Sequence, residues 1–201
     1  KADFWIFHCR DMPSADEMQP HGPIGRLRKP HQLWTWFCEE HDNIEPAYEG
    51  LYNLTMSMRL ESDIPISYVN TDRSMTDSLG DKWDTEGVDP MLPFAERTAP
   101  NPVAWAASNC NTLQNNRTGY IEELMKHIGV DSFGPCLNNA EGFTERGDQI
   151  LGKERLAKEK QFMRKYKFYL SFENANCKGY VSEKLPKSFL WNLVPIIGGP
   201  P

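Results

Sequence analysis

The sequence lacks a hydrophobic run long enough to cross a membrane. A transmembrane helix needs about 18 or more consecutive apolar residues, and no segment of the 201 residues approaches that length. The first residues, KADFWIFHC, also lack the charged, apolar and small-residue zones of a signal peptide. We therefore expect no anchoring or targeting segment within this sequence.

An excess of basic residues is also missing. The chain has 22 Lys and Arg against 28 Asp and Glu, for a formal net charge of −6. Proteins that bind mainly a nucleic-acid backbone need net basic surfaces, so nucleic acid is not an expected partner. The 39% hydrophobic content is enough for a buried core and indicates a globular protein of one or two domains.

Several ligand-binding motifs are absent. The chain contains no GxGxxG and no GxxxxGK[ST], which argues against a classical dinucleotide site or a P-loop. It also contains no CxxC, so neither a zinc site nor a redox motif is expected.

The cysteines and sequons favour the secretory route. Five cysteines are an odd number, which leaves one thiol unpaired or paired outside this segment. We expect Cys110 and Cys136 to be structural, because one follows a strand end and the other a Gly-Pro turn at a strand end. The N-x-[ST] triplets at Asn53 and Asn116 are candidate glycosylation sites.

The two halves of the chain differ in pattern. Up to about residue 100, the strand-like runs DFWIF and QLWTWF stand between Pro-rich and charged loops. From Pro102 onward, strands and helices alternate as βαβαβαβ, which is typical of a parallel sheet wrapped by helices. A loop rich in Asp, Ser, Thr, Gly and Pro, residues 68–102, separates the halves. We therefore predict an α/β protein with domains at residues 1–100 and 101–201.

The predicted elements of the second half follow from apolar spacing. The strands are PVAWAAS, VDSFG, KFYLSF and VPIIGG, and the helices are RTGYIEELMKHIG, KERLAKEKQFMRKY and EKLPKSFLWN. The first helix places Ile121, Leu124 and Ile128 on one face and ends at Gly129. Pro is tolerated only in the first turn of a helix, so Pro186 predicts that the third helix begins at or just before Lys184.

Aromatic residues of the first half are expected in structural roles. Trp34 and Trp36 alternate with apolar neighbours on a strand, which is typical of core positions. His8 is expected to be a satisfied residue at a strand end.

Two cations stand where a parallel sheet commonly binds anions. Ligands of such sheets lie outside the carboxyl ends of the strands, near helix N-termini. Arg117 lies in the first turn after one strand, and Lys184 opens the helix after another. This placement predicts a diphosphate site; the alternative is that both are ordinary solvated charges.

The stretch YKFYLSFEN…GYVSEK, followed by LVPIIGGP, resembles the signature of the α1,3-fucosyltransferases, which transfer fucose from GDP-fucose to a sugar hydroxyl. LYNLTMSMRLESDIP, VAWAASNCN and RTGYIEELMKHIGVDSFG resemble further blocks of the same family. The resemblance extends from about Leu33 to Pro201.

The resemblance implies a GT-B architecture of two Rossmann-like domains, the first facing the acceptor and the second binding the nucleotide sugar. Further strands and helices are expected beyond GGPP, so the second domain is incomplete here. By match to the motif, Asn174, Tyr180, Glu183 and Lys184 would line the GDP-fucose site. Glu183 would contact the ribose hydroxyls and Lys184 the phosphates, with Arg117 as the second phosphate cation.

The same resemblance implies a catalytic base and an acceptor contact. The family has a glutamate just after an aromatic strand, and WTWFCEEHDN aligns Glu40 with it, whereas Glu39 lies one residue early and points to the other face. Glu40 would be the general base of an inverting transfer. FHCRD resembles the acceptor-reading segment, in which Arg10 would favour O3 of GlcNAc in Galβ1,4GlcNAc.

The resemblance also bears on cofactors and location. Nucleotide-sugar enzymes of the other common fold bind Mn²⁺ through Asp-x-Asp, which is absent here, and Arg117 and Lys184 would replace the ion. No metal is thus expected to be required, although Mn²⁺ stimulation is compatible with the sequence. The full-length protein would be a type II Golgi membrane protein facing the lumen, with its anchor outside this segment.

Two alternatives stay open from the sequence. One is transfer to the innermost GlcNAc of an N-glycan core. The other is a non-catalytic relative that binds glycans or partners, which is suggested by Gly179 in place of an acidic residue and Pro186 in place of Trp. The presence of Glu40, Arg117, Glu183 and Lys184 favours the enzyme.

Overall fold

The chain forms two compact units. The computed structural model describes residues 3–40, 44–66, 92–111, 114–142 and 153–198. One unit comprises Lys1–Ser67 with Cys177–Tyr180, and the other comprises Tyr68–Asn176 with Val181–Pro201. Residues 68–91 of the predicted connecting loop, residues 41–43 after the aromatic strand and residues 199–201 of GGPP lie outside the described part. The boundary near residue 100 stays a prediction.

The first unit contains a four-stranded parallel sheet in the order β1-β2-β3-β4. Its strands are β1 (Phe4–His8), β2 (Leu33–Cys38), β3 (Leu54–Ser57) and β4 (Ile64–Pro65), and a short helix, α1 (Ala15–Met18), follows β1. DFWIF and QLWTWF correspond to β1 and β2, as predicted. The sequence analysis did not predict β3 and β4, which are short and lie within one loop-like stretch.

The core of the first unit is aromatic. Trp34 and Trp36 are buried on β2, which confirms their predicted core positions, and Trp34 packs with Phe7, Met18 and Leu51. His8 ends β1 and pairs with Asp11 at 3.2 Å, as expected of a satisfied strand-end residue.

The second unit contains a parallel sheet in the order β6-β5-β7-β8, with the strands joined through helices. Its elements are β5 (Val103–Ala106), α2 (Arg117–Leu124), β6 (Val130–Phe133), α3 (Lys153–Met163), β7 (Phe168–Phe172), α4 (Lys184–Leu190) and β8 (Val194–Gly198). All four residues of β5 are buried, with Ala104 and Trp105 in two different core clusters. Apolar cover on both faces is the usual state of a parallel sheet, and the predicted α/β class is confirmed.

One predicted helix is too long. We expected RTGYIEELMKHIG to be helical up to Gly129, but α2 ends at Leu124 and Ile128 is 39% exposed. The amides of Lys126 and His127 donate to carbonyls three residues back instead of four. This tightening ends the helix because the chain must turn into β6 at Val130. The predicted start of α4 at Lys184 is confirmed, and Pro186 lies in its first turn.

Two disulfides join the carboxyl ends of neighbouring strands. One disulfide joins Cys9, which follows β1, to Cys38, which ends β2. The other joins Cys110, which follows β5, to Cys136, which follows β6. The second bond agrees with the structural role expected of Cys110 and Cys136, and Cys177 is the unpaired thiol that the odd count required.

The described residues contain neither a membrane-spanning helix nor a metal-binding cluster. None of their helices is both long and apolar enough to cross a bilayer. Nor do these residues contain a group of three or more His, Cys, Asp or Glu side chains suited to a metal ion.

Candidate active site

Glu40 lies two residues after the end of β2, in the first unit. Its side chain is 26% exposed, whereas the neighbouring Glu39 is exposed. The two carboxylates therefore differ in environment, as the alternation along the strand predicted. Glu40 combines a defined position with access to solvent, which a general base needs.

Both oxygens of the Glu40 carboxylate are held. Arg10 Nη2 lies 3.0 Å from Oε1, and the Tyr180 hydroxyl donates to Oε2 at 3.2 Å. Tyr180 is only 4% exposed, so burial of its ring fixes the position of the hydroxyl that donates. Arg10, Glu40 and Tyr180 were assigned from the sequence to three different roles, and the structure brings them together.

Strand pairing and a disulfide explain this convergence. In the parallel register of β1 and β2, His8 lies opposite Phe37, and the Cys9 amide donates to the Phe37 carbonyl at 2.9 Å. The Cys9–Cys38 bond then locks the two strand ends. Arg10 is one residue beyond this bond and Glu40 two residues beyond it, so both side chains emerge at the same edge of the sheet.

The segment Cys177–Tyr180 carries Tyr180 to Glu40 as part of the first unit. Gly179 has a φ of +75°, a conformation that L-residues rarely adopt. Lys178 adds an exposed ion pair to Glu61 at 2.6 Å, and the hydrogen bond from Lys178 is the main reason that the pKa of Glu61 is lowered. Gly179, flagged as a departure from the family motif, thus has a conformational reason to be glycine.

An open pocket of about 240 Å³, a volume that includes solvent space, adjoins Glu40. Its lining comes from the carboxyl ends of β2 and β3 and from the segment 177–180: Glu40, Ser57, Met58, Arg59, Cys177, Lys178, Gly179 and Tyr180. Carboxyl ends of parallel strands are where such sheets bind ligands.

A second polar cluster lies at the carboxyl end of β7 in the second unit. The buried Glu173 follows β7 directly, and its carboxylate accepts bonds from the Ser182 amide at 2.8 Å and the Ser182 hydroxyl at 2.7 Å. Lys184 Nζ lies 3.3 Å from the same carboxylate. Glu173 thereby ties the start of α4 to the end of β7.

Lys184 and Glu183 form the charged start of α4. Lys184 is 19% exposed and donates to the Ser182 hydroxyl at 2.7 Å and to Glu183 at 3.3 Å. Burial raises the pKa of Glu183, but the charges of Lys184 and Lys187, together with hydrogen bonds from its own backbone and from Lys184, leave the pKa below the ordinary 4.5. Glu183 is therefore an ionised acceptor at neutral pH, beside a cation.

Arg117, the first residue of α2, is 3% exposed and is not a solvated charge. Its guanidinium donates to the carbonyls of Phe172 and Asn109, both at 2.8 Å, and stands 5.9 Å over the Trp105 ring. Arg117 and Lys184 both contact residues at the carboxyl end of β7, Phe172 and Glu173. Their use by a diphosphate stays a prediction.

Asn174 has a side-chain oxygen that accepts no hydrogen bond from the described residues. This oxygen is buried. A buried acceptor without a partner is costly, and a hydroxyl or N–H of a ligand would satisfy it.

The candidate glycosylation sites Asn53 and Asn116 are both exposed. The Asn53 side-chain oxygen accepts bonds from Arg28 and from the Trp34 amide. Asn116 precedes α2 with a φ of 46°. Modification of either residue stays a prediction.

The contact between Glu173 and Ser182 was not predicted from the sequence, although both residues lie within the family motif. The available signal was a carboxylate placed directly after a buried strand, which needs a partner. Their interaction depends on the return of the chain after nine residues, and the sequence does not reveal that return.

Both halves of the chain match family models. The description of one is "Glycosyltransferase family 10 (fucosyltransferase) C-term", matched by residues 96–201, and that of the other is "Fucosyltransferase, N-terminal", matched by residues 1–69.

Curated relatives agree with these matches. The 3-galactosyl-N-acetylglucosaminide 4-alpha-L-fucosyltransferase of Bos taurus is 32% identical over 206 residues, covering 100% of this chain and 48% of that protein. A human 4-galactosyl-N-acetylglucosaminide 3-alpha-L-fucosyltransferase is 32% identical over 209 residues, covering 100% of this chain and 47% of that protein. The Drosophila melanogaster alpha-(1,3)-fucosyltransferase B is 27% identical over 181 residues, covering 87% and 39%. The chain thus spans about half the length or less of these relatives.

Solved structures share the fold. A crystal structure of an alpha1,3-fucosyltransferase superposes with a TM-score of 0.59 at 17% identity, covering 99% of this chain and 57% of that one. The structure of an alpha1,3-fucosyltransferase with GDP-fucose gives 0.53 at 19% identity, covering 86% and 54%. These likenesses establish the GT-B fold predicted above, and together with the matched family models they lead to one assignment: the chain belongs to glycosyltransferase family 10, the fucosyltransferases.

Proposed function

We propose that the protein is an inverting glycosyltransferase that transfers fucose from GDP-fucose to O3 of a GlcNAc residue in a glycan. The observation that carries this proposal is the carboxylate of Glu40, held by two donors beside an open pocket in a family 10 chain. Such a carboxylate has the position and the chemistry of a general base for a sugar hydroxyl.

The donor side rests on the cluster at the carboxyl end of β7. In this proposal Glu183 accepts hydrogen bonds from the ribose hydroxyls, and Lys184 contacts the diphosphate. The buried Arg117 adds positive charge beside it, and Asn174 offers its unpartnered acceptor. Tyr180, first assigned to the donor, is the contact of Glu40. Two of the similar solved structures are of an alpha1,3-fucosyltransferase with GDP and with GDP-fucose. Positive charge near the diphosphate stabilises the leaving group as the sugar bond breaks.

On the acceptor side, Glu40 accepts the proton of the sugar hydroxyl while the hydroxyl oxygen attacks the anomeric carbon of fucose. The attack comes from the face opposite GDP, so the configuration inverts to the α-linkage. Arg117 and Lys184 supply the charge that Mn²⁺ supplies elsewhere, and we propose that a metal stimulates at most. Residues 1–100 would form the acceptor-side domain and residues 101–201 the donor-side domain.

The choice of O3 over O4 and of the acceptor is part of the proposal. The names of two relatives specify 3- and 4-fucosylation of differently galactosylated GlcNAc. We favour Galβ1,4GlcNAc, with the N-glycan core as the alternative. Two disulfides and two exposed sequons suit an oxidising lumen, which supports a Golgi location for the full-length protein.

The test is turnover of GDP-fucose by the full-length protein. The acceptors are Galβ1,4GlcNAc, Galβ1,3GlcNAc and a chitobiose core, each with and without chelator, and product linkage is determined by NMR. We expect an α1,3 product on Galβ1,4GlcNAc that persists with chelator. GDP-fucose binding without transfer to any acceptor would support a non-catalytic binder instead, and absence of both would overturn the proposal.

A further inference from the structure

We propose that Glu173 is a positioning residue for Lys184, and that it holds the lysine ammonium in the arrangement that receives the diphosphate of the donor. This inference rests on the proposed function, in which Lys184 contacts the diphosphate. It gives Glu173 a part in donor binding beyond its connection of β7 to α4. Glu173 acts through Lys184 and not by its own contact with the nucleotide sugar.

The carboxylate of Glu173 is a buried charge, since the residue is only 4% exposed. A buried carboxylate is stable only when it is paired and hydrogen-bonded. Its Oε1 accepts a bond from the Ser182 amide at 2.8 Å, and its Oε2 accepts one from the Ser182 hydroxyl at 2.7 Å. Lys184 Nζ lies 3.3 Å from Oε2 and supplies the opposite charge. The carboxylate and the ammonium are therefore tied to each other.

Ser182 links the two charges through one hydroxyl. Lys184 Nζ donates to Ser182 Oγ at 2.7 Å, and that hydroxyl donates its single proton to Glu173. An ammonium has three N–H donors, and Lys184 directs a second one to Glu183 at 3.3 Å. Within the described part of the chain these are its only hydrogen bonds. One N–H is thus left for a phosphate oxygen.

Glu173 stands on a rigid support. Its amide donates to the Gly198 carbonyl at 3.1 Å, which extends the pairing of β7 with β8, and its carbonyl accepts a bond from Asn115 at 2.9 Å. The backbone of Lys184 is tied to the same strand, because the Ser171 hydroxyl donates to the Lys184 carbonyl at 3.3 Å. Both ends of the Lys184 side chain are therefore held at the carboxyl end of β7.

This support matters because a lysine side chain is flexible. Its ammonium is a point charge on a four-carbon stem, and ordering such a side chain at the moment of binding weakens affinity. A lysine already held by Glu173 and Ser182 loses little further freedom when the diphosphate binds. A carboxylate that competed with the diphosphate for Lys184 would have the opposite effect, so the direction of the change distinguishes the two roles.

The experiment compares GDP with guanosine by calorimetry on the full-length protein carrying Glu173→Gln. Gln has nearly the same shape and keeps an acceptor for Ser182, but it lacks the charge that holds Lys184. We expect GDP to bind about 3- to 10-fold more weakly. Guanosine affinity should be unchanged, because guanosine has no phosphate for Lys184 to contact. Transfer assays should show a higher KM for GDP-fucose and an unchanged KM for the acceptor.

A double-mutant cycle tests the route through Lys184. On the Lys184→Ala background, Glu173→Gln should cause no further loss of GDP affinity, because contacting residues that act together are not additive. Ser182→Ala removes the bridging hydroxyl and should weaken GDP binding but not guanosine binding, and it decides the question if Glu173→Gln does not fold. The matched control is Glu123→Gln, which removes an exposed carboxylate paired with Lys126 in the same unit and should bind GDP normally.

The outcomes separate the inference from the proposed function. Unchanged GDP affinity in Lys184→Ala would overturn the phosphate role of Lys184, which belongs to the proposed function. A loss in Lys184→Ala beside unchanged or tighter GDP binding in Glu173→Gln would overturn the inference alone, and tighter binding would mean that Glu173 competes for the lysine. Equal losses for GDP and guanosine, with a lower melting temperature of Glu173→Gln, would mean that Glu173 serves only the fold and would also overturn the inference.

Discussion

Two buried or half-buried carboxylates, Glu40 and Glu173, organise the polar residues of this chain. Glu40 is bound by Arg10 and Tyr180, and Glu173 by Ser182 and Lys184. The difference between them is access: Glu40 keeps contact with solvent, whereas Glu173 is buried and fully engaged with the protein. Chemistry on a substrate therefore suits Glu40, and Glu173 suits a role in holding α4.

Glu40→Gln tests the base directly. We expect it to retain GDP binding and to lose transfer by about 10²-fold or more, since a positioned base contributes about 10²–10⁴-fold. Glu39→Gln is the matched control and should have little effect. Donor affinity comes from calorimetry and transfer from assays with excess acceptor. A dead Glu39→Gln beside an active Glu40→Gln would mean that our alignment is wrong by one residue.

Lys184→Ala tests the diphosphate contact. Loss of a charge-assisted hydrogen bond should weaken GDP-fucose binding by about 1.5–3 kcal/mol. The control is Lys126→Ala, which removes an exposed lysine of the same unit and should leave affinity nearly unchanged. Calorimetry with GDP measures both. Equal affinity of the Lys184 variant and the unmodified protein would exclude the predicted phosphate role.

At the scale of elements, the carboxyl ends of the parallel strands determine where polar residues gather. In the first unit, the ends of β2 and β3 and the segment 177–180 line the pocket beside Glu40. In the second unit, the end of β7 receives contacts from the starts of α2 and α4. A disulfide stabilises the strand ends in each unit.

Gly179→Ala tests the conformation of the segment that presents Tyr180. Its φ is +75°, and an added Cβ would meet only the Met58 carbonyl, at 4.0 Å. The cost is therefore backbone strain, about 1–2 kcal/mol, without a clash. Gly50→Ala is a close control, because its φ is +77° and its surroundings are open.

Both glycine variants should lose similar stability in chemical denaturation. Only Gly179→Ala should also lower transfer, because relaxation of the strain displaces Tyr180 from Glu40. Equal transfer by the two variants would contradict a role of this segment in catalysis.

At the scale of the whole molecule, each unit contains one disulfide and a tyrosine whose hydroxyl is at least partly withdrawn from solvent. Each unit has one disulfide, and the fifth cysteine, Cys177, is half-buried and unpaired. Tyr52 donates to Met12 in the first unit, and Tyr166 donates to Asp131 in the second. Burial is the main cause that raises the pKa of both tyrosines.

Alkylation without reduction should label Cys177 alone. The other four cysteines are in disulfides, and mass mapping of the secreted protein under non-reducing conditions identifies the labelled site. Labelling after reduction serves as the control for all five. Labelling of every cysteine without reduction would show that neither disulfide forms, and it would remove much of the argument for an oxidising compartment.

Stability should fall in alkali. The folded pKa values of Tyr52 and Tyr166 lie above the ordinary 10.0, so their neutral forms favour the folded state. This contribution is complete below about pH 10 and is lost as the pH rises above it. Urea titrations at neutral and alkaline pH measure the loss, which should be smaller in Tyr52→Phe/Tyr166→Phe. An unchanged slope in that double variant would contradict the assignment.

The sequence by itself determined the family and the strands of the second half, and it predicted the site residues. Apolar runs such as PVAWAAS and KFYLSF predict strands because they are contiguous in the chain, and Pro186 located the start of α4 through a local steric rule. The motif around Tyr180, Glu183 and Lys184 was recognisable for the same reason. Local patterns failed at Ile128, whose helical spacing was overridden by the turn into β6.

Only the tertiary structure decided which side chains meet. Arg10 and Glu40 are 30 residues apart, and their pairing depends on β1 and β2 being parallel neighbours in one register. Arg117 was predicted to be a phosphate cation, with a solvated charge as the alternative, but the sequence did not show that its carbonyl partners would be Phe172 and Asn109, from separate parts of the chain. Contacts of this kind follow from strand order, and strand order is a property of the folded sheet that no single stretch of sequence contains.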